Sequence, residues 1–284
     1  MRLVTSIKEM LDIADGWRRA GEKIGLVPTM GSFHEGHLAL MREAGRKSDK
    51  LVVSDFVNPI QFGPNEDFDE YPRDMRRDME MAESVGVDVL YHPAVDEMYP
   101  RGFQTSVNVG KISVGLCGGR RPGHFDGVCT VVAKLFNQVK PHLAVFGEKD
   151  FQQLAVVRRM VRDLDMPVEI LSHAIVREAG GLAMSSRNSY LSSEQRKRAL
   201  CLAEAIDYGR GRVAGESSVS MRALEGEIKE RIDAVEGIVV DYVTIVDNDT
   251  LLPSQCAGER SVLVLAVIID DTVRLIDNGK LIIK

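Results

Sequence analysis

Apolar and polar positions along roughly the first 175 residues fall into two alternating periods. Short β-branched runs at Ile24 to Val27, Leu51 to Val57, Val87 to Tyr91, Leu143 to Phe146 and Val168 to Ile175 have the length of strands buried on both faces. Between them, Val128, Val131, Val132, Leu135, Phe136 and Val139 recur at helical spacing, and Met75, Met79, Ala82 and Val85 do so on an earlier segment. Strands alternating with helices predict a parallel sheet with crossover helices. The opening segment, Met1 to Arg19, reads as an amphipathic start with acidic residues and no continuous apolar core, so it is expected to be neither a signal peptide nor a membrane span.

After Arg187 the pattern changes. Ser192 and Gln195 have capping-box spacing ahead of a long charged helix, and a second helix covers about Ser220 to Val235. Three strand-like runs follow, Val239 to Val246, Val262 to Ile269 and Thr272 to Ile276, with a last short one at the end. Helices followed by adjacent strands predict a small α+β domain. The division expected is residues 1–176 and 177–284, with Gly180 and Gly181 where a hinge would be.

Composition narrows the function classes. The chain has 284 residues, enough for about two domains. With 44% hydrophobic and 27% charged residues it can build ordinary cores, which excludes bulk disorder. A formal charge of −6 argues against nucleic acid as a partner, whereas a local basic cluster could still take one small anion. Cys117, Cys129, Cys201 and Cys256 show no CxxC spacing, which fits reduced core thiols and a cytoplasmic location. The longest apolar run, Val262 to Ile269, is far shorter than the ~20 residues of a spanning helix, so no membrane partner is expected.

The chemistry-bearing segments sit at strand ends. PTMGSFHEGH, Pro28 to His37, lies between a strand and a helical run, where glycines admit a ligand to the backbone and a helix start offers N–H groups to a phosphate. His34 and His37, three apart, can face one bound group together. The strand Leu51 to Val57 runs into Asn58 and Gln61, amides suited to hydroxyls and carboxylates. GGRRPGHFDGV, Gly118 to Val128, brings Arg121 and His124 to a helix start. GEKDFQQ, Gly147 to Gln153, repeats the strand-end logic with Lys149 for a polyphosphate and Asp150 for ribose hydroxyls. GLAMSSRNSYL, Gly181 to Leu191, offers Ser185, Ser186 and Arg187 as a phosphate clamp. There is no GxxxxGK[ST] loop, no GxSxG elbow, no HExxH helix and no GxGxxG turn.

In order, PTMGSFHEGH, FVNPIQF, GGRRPGHFDGV, FGEKDFQQL, LAMSSRNSYL and the terminal RLIDN resemble the pantothenate synthetases, or pantoate–β-alanine ligases, of the HxGH nucleotidyltransferase superfamily. The resemblance spans nearly the whole chain. It implies a Rossmann-like N-terminal domain, a smaller C-terminal lid domain that closes over the site, a homodimer, and use of ATP with Mg²⁺, whose ligands it does not assign. It also implies an ATP site formed by Met30, Gly31, Ser32, Phe33, His34, Glu35, Gly36, His37, Gly147, Glu148, Lys149, Asp150, Val176, Met184, Ser185, Ser186 and Arg187. Gln61 and Gln153 would hold pantoate, with help from Asn58, Arg121 and His124, and His37 is the position usually assigned a proton-donating role. The implied reaction is condensation of pantoate with β-alanine to give pantothenate, AMP and diphosphate through pantoyl adenylate, with His34, His37, Lys149, Ser185 and Arg187 offsetting charge on the triphosphate.

Two positions depart from the family's usual spelling. Asp55 stands where an aliphatic residue is usual, and a carboxylate buried unpaired in a strand costs several kcal/mol or stays protonated. Gly180 replaces the usual aspartate before GLAMSSRN. Two other functions fit the residues themselves: an adenylyltransferase that leaves AMP on its product, and a nucleotide-binding sensor without turnover.

Overall fold

The computed structural model describes residues 1–64, 66–215 and 219–282. The chain divides into two compact units, Met1–Glu148 with Gln152–Ala174, and Lys149–Phe151 with Ile175–Lys284.

In the first unit β1 (Arg2–Val4), β2 (Ile24–Thr29), β3 (Lys50–Asp55), β4 (Val89–Tyr91), β5 (Leu143–Gly147) and β6 (Glu169–His173) form one sheet. Their order is β1-β4-β3-β2-β5-β6, and every pair is parallel. Alternation along the strands sorts the side chains onto two cores. Leu26, Val52 and Ala144 face one side, while Val27, Val53 and Val145 face the other. The first side is covered by α1 (Ile7–Arg19), α4 (Val95–Met98), α5 (Leu116–Arg120), α6 (His124–Val139) and α7 (Phe151–Asp163), the second by α2 (Glu35–Lys47) and α3 (Met75–Ser84). The five expected strands are all present. β1 escaped the sequence reading because it is a three-residue edge strand with only Val4 buried, and the amphipathic helix begins after it, capped by Ser6.

In the second unit α8 (Ser193–Arg198), α9 (Cys201–Gly215) and α10 (Met221–Asp233) accompany the antiparallel sheet β7 (Ile238–Asp247), β8 (Ser261–Ile269) and β9 (Val273–Lys280). Leu202, Ile206, Leu224 and Ile228 join Leu263, Leu265 and Val267 in its core. The capping box at Ser192 and Gln195 forms, but the long charged helix is two helices. Gln195 and Arg198 anchor α8 to Asp270, whereas α9 is held by its own apolar face of Leu202, Ala205 and Ile206. The expected last short strand is absent at Leu281 and Ile282, because β9 runs unbroken to Lys280; the remainder of that expectation lies outside the described residues.

Gly180 and Gly181 form a turn, not a hinge. Arg177 bridges Ala183, and the Gly181 N–H donates to the Glu178 carbonyl at 2.8 Å. The hairpin is fastened to β9 by a forked pair, Arg177 to Asp277 at 2.6 and 2.9 Å. A side chain at the exposed position 180 would make only an ordinary contact with the Leu200 methyls, the nearer at 3.5 Å, so space does not require glycine there.

Candidate active site

The loop after β2 is built on two consecutive left-handed residues, Gly31 at φ 78° and Ser32 at φ 53°. A Cβ at Gly31 would collide with Asp55 Oδ1 and come within 3.1 Å of Asp78 Oδ2, so the turn needs glycine for space as well as for φ. The Gly31 N–H donates to Thr29 Oγ1 at 3.2 Å, and Thr29 Oγ1 donates to the Ser54 carbonyl at 2.5 Å. Asp78, on α3, accepts the Ser32 and Phe33 N–H groups at 2.6 and 2.7 Å.

Beyond this turn His34 is the N-cap residue of α2, and Glu35, Gly36 and His37 form its first turn. The two imidazoles stack at 4.1 Å between centroids, and the buried Phe33 ring meets His37 edge-on at 5.7 Å. The sequence spacing thus does bring the histidines together at a helix start, where N–H groups and the dipole favour an anion. Glu35 points along the helix to an ion pair with Arg42.

The chain leaving β3 makes a single 3-10 turn, Pro59–Gln61, which rests on α6. Gly127 makes that contact possible, since a Cβ there would lie 2.6 Å from the Ile60 carbonyl oxygen and 2.7 Å from the Gln61 backbone. Asn58 is 1% exposed and its amide is fully engaged: Nδ2 donates to Gln61 Oε1 at 3.0 Å and to the Gly127 carbonyl at 3.1 Å, and Oδ1 accepts from the Tyr99 hydroxyl at 2.7 Å. His124, also buried, places Nδ1 2.8 Å from the Gln61 carbonyl oxygen and Nε2 3.1 Å from Arg121 Nη1. Asn58 and His124, both expected beside the substrate acid, hold Gln61 and its turn through these hydrogen bonds. Gln61 Nε2 lies 3.0 Å from Met30 Sδ, so the amide-bearing turn abuts the histidine-bearing loop.

Arg121 forks onto Glu66. Burial works to raise the Glu66 carboxyl, but the guanidinium beside it outweighs burial and holds the pKa below the ordinary value. Burial pushes Asp55 up to about 6, with the His92 charge opposing and Asp78 adding to the rise. Asp78 is likewise raised by burial, which its two loop N–H groups offset only in part.

Gly147 ends β5, the strand beside β2 on the side away from β3. The strand order therefore reverses between β2 and β5, and the loops after those two strands flank the crevice where open α/β sheets bind ligands. Glu148 accepts a hydrogen bond from Ser172 at 2.9 Å. Gln153 is half-buried on α7; its neighbour Gln152 is the buried one, bridging the Ile112 and Gly115 carbonyls.

In the second unit Lys149 Nζ lies 3.4 Å from Asp150 Oδ1, and the Lys149 carbonyl accepts from Asn278 Nδ2 at 3.0 Å. Val176 and Met184 pair across the hairpin, their carbonyl and N–H 2.9 Å apart. Ser185 caps the short turn Ser186–Tyr190, accepting the Arg187 N–H at 3.3 Å. Asn188 and Arg196 both donate to Glu178, which anchors that turn from behind.

Asp78, Glu66 and Glu178 hold these parts without standing in any quoted motif, and Gln152 and Asp277 stand in motifs that do not disclose their partners. Asp78 did carry a signal, being an acidic residue inside the apolar stripe of Met75, Met79 and Ala82. The others have partners far away in sequence, which spacing cannot reveal.

The model of the pantoate–beta-alanine ligase family matches residues 2–280. The pantothenate synthetase of Syntrophobacter fumaroxidans is 54% identical over 279 residues, and that of Geobacter sulfurreducens 52%, each alignment covering 98% of both chains. A crystal structure of pantothenate synthetase from Thermus thermophilus superposes with a TM-score of 0.91 at 46% identity, covering 99% of both chains. The pantoate–beta-alanine ligase of Francisella tularensis, crystallised with beta-gamma ATP and beta-alanine, gives 0.80 at 32% identity, covering 99% of this chain and 98% of its own. With its motifs, fold and nearly full-length likeness in agreement, this chain belongs to the pantoate–beta-alanine ligase family.

Proposed function

We propose that this chain condenses pantoate with β-alanine, driven by ATP, through a pantoyl adenylate. A carboxylate acylates an amine poorly. A pantoate carboxylate oxygen attacks the α-phosphorus of ATP, the bond to the bridging oxygen breaks, and pyrophosphate leaves. The β-alanine amine then attacks the acyl carbon of the mixed anhydride, AMP departs with the anhydride oxygen, and the nitrogen gives up a proton as the amide forms.

One observation carries this reading: the histidine loop after β2 and Gly147 after β5 flank the strand-order reversal, and Gln61 meets that loop at Met30. A nucleotide site next to a neutral, hydrogen-bonding acid site suits attack of a carboxylate on a phosphorus. The complex named for the Francisella tularensis relative supports the choice of ATP and β-alanine.

His34 and His37 donate to phosphoryl oxygens as charge builds up, and Lys149, Ser185 and Arg187 are the groups of the second unit offered to phosphates. Met30, Gly31, Ser32, Phe33, Glu35 and Gly36 shape the nucleotide loop; Gly147, Glu148, Asp150, Val176, Met184 and Ser186 complete the nucleotide set. Gln61 and Gln153 orient pantoate, and Asn58 and His124 act through Gln61. Arg121, tied to Glu66, stays beside the acid site.

Among the described residues no group of three or more His, Cys, Asp or Glu is arranged to hold a metal ion. Those residues thus supply no protein cage for Mg²⁺, an ion commonly bound through substrate phosphates and water. No helix among the described residues is long and apolar enough to cross a membrane. A homodimer of the 31.4 kDa chain is the expected assembly, measurable by light scattering.

The deciding assay is AMP release from ATP by purified protein. Release that needs both pantoate and β-alanine is expected. ATP–pyrophosphate exchange without pantoate, or a product that keeps its AMP, would overturn the reading.

A further inference from the structure

We propose that Asp78 is the positioning residue of the histidine loop: through the Ser32 and Phe33 N–H groups its carboxylate fixes how His34 and His37 are presented to the triphosphate. This rests on the reading of that loop as the ATP site.

The arrangement is specific to a carboxylate. Asp78 is 1% exposed, and each of its oxygens takes one of two adjacent N–H groups. An ionised carboxylate accepts at both oxygens, whereas an amide would turn an NH₂ toward one of those donors. The residues it clamps are hard to hold otherwise, because Ser32 sits at φ 53°, a region that side-chain-bearing residues seldom occupy. The clamp reaches the chemistry by contact: Phe33 meets His37 edge-on, and His37 stacks on His34. A shift of the Ser32–Phe33 backbone would therefore move both imidazoles.

The charges around the clamp come from three directions. Arg77 and Asp74 share its helix end, Asp55 approaches from β3 on the other side of Gly31, and His92, after β4, faces Asp55 with Nδ1 3.9 Å from Oδ1. Asp74 works against ionisation of Asp78, as Asp78 does against that of Asp55, and ionisation is what the clamp requires.

The test combines kinetics with a measurement on the unmodified protein. In the parent, NMR should find the Ser32 and Phe33 amides slow to exchange, and acid titration should move both amide signals together as the carboxylate pair takes up protons. Asp78→Asn should lower kcat of pantoate-dependent pyrophosphate exchange by ~10–100-fold, as misplacement of reacting groups does. Its pantoate KM should stay within about twofold, and Asp78→Glu should recover part of the loss. Parent-like turnover in Asp78→Asn, or a loss spread equally over pantoate KM, would overturn the proposal. If Asp78→Asn fails to fold, the parent titration decides, and amide signals indifferent to acid would overturn it. A parent that makes no AMP at all defeats the functional reading instead, and the amide titration still decides whether Asp78 holds the loop.

Discussion

Asp55 releases its proton less readily in the folded chain than in the unfolded one, so it works against the native state as pH rises. Its folded pKa of about 6 stands above the ordinary 3.8. The native state therefore holds more protons between those values, and stability falls through that window, by on the order of 3 kcal/mol once pH passes about 6. Asp55→Asn should thus gain on the parent between about pH 4 and pH 6 and keep a constant lead above; urea titrations at about pH 4, 6 and 8 that show a uniform gap would contradict this. His37→Ala and Lys149→Ala should each cut AMP formation by ~10²-fold or more with the melting temperature nearly unchanged. Either variant turning over at the parent rate would remove that residue from the phosphate-binding set. At this scale the sequence was legible where a motif names its own chemistry, as at His34 and His37. It was illegible where partners lie far apart in the chain: nothing in the spacing of Asn58 and His124 tells that both hydrogen-bond to Gln61.

At the scale of elements, the turn Pro59–Gln61 depends on the absence of a side chain on α6. Gly127→Ala must push that turn away, since its Cβ would lie 2.6 Å from the Ile60 carbonyl oxygen. A loss of about 1–3 kcal/mol is expected, as for other overpacked cores. The pantoate KM should rise more than the ATP KM, because Gln61 moves with the turn; equal changes in both would detach Gln61 from pantoate. The helix was plain in the sequence, and so were all the parallel strands but the short edge strand β1, because such strands and a core helix such as α6 are written as apolar runs. The break between α8 and α9 was not, since Asp270, the residue that anchors α8, lies more than 70 positions away.

Each unit of the molecule has its own core, so damage should stay local. Arg177→Leu would strand Asp277, whose side chain is fully buried, and should cost ~3–5 kcal/mol. Hydrogen exchange should then quicken in β8 and β9 and not in β2, β3 and β5; loss of protection in both sheets alike would show that the two units melt together. Gly31 carries a consequence for the chain's history. Because its missing side chain leaves the space that the carboxylates of Asp55 and Asp78 approach, positions 31, 55 and 78 form one heritable character whose parts cannot drift separately. Substitutions there should be epistatic, with double-mutant cycles departing from additivity by about 0.5–3 kcal/mol. An aliphatic residue at 55 changes which neighbours positions 31 and 78 will tolerate, so the order in which such mutations arise decides which of them survive.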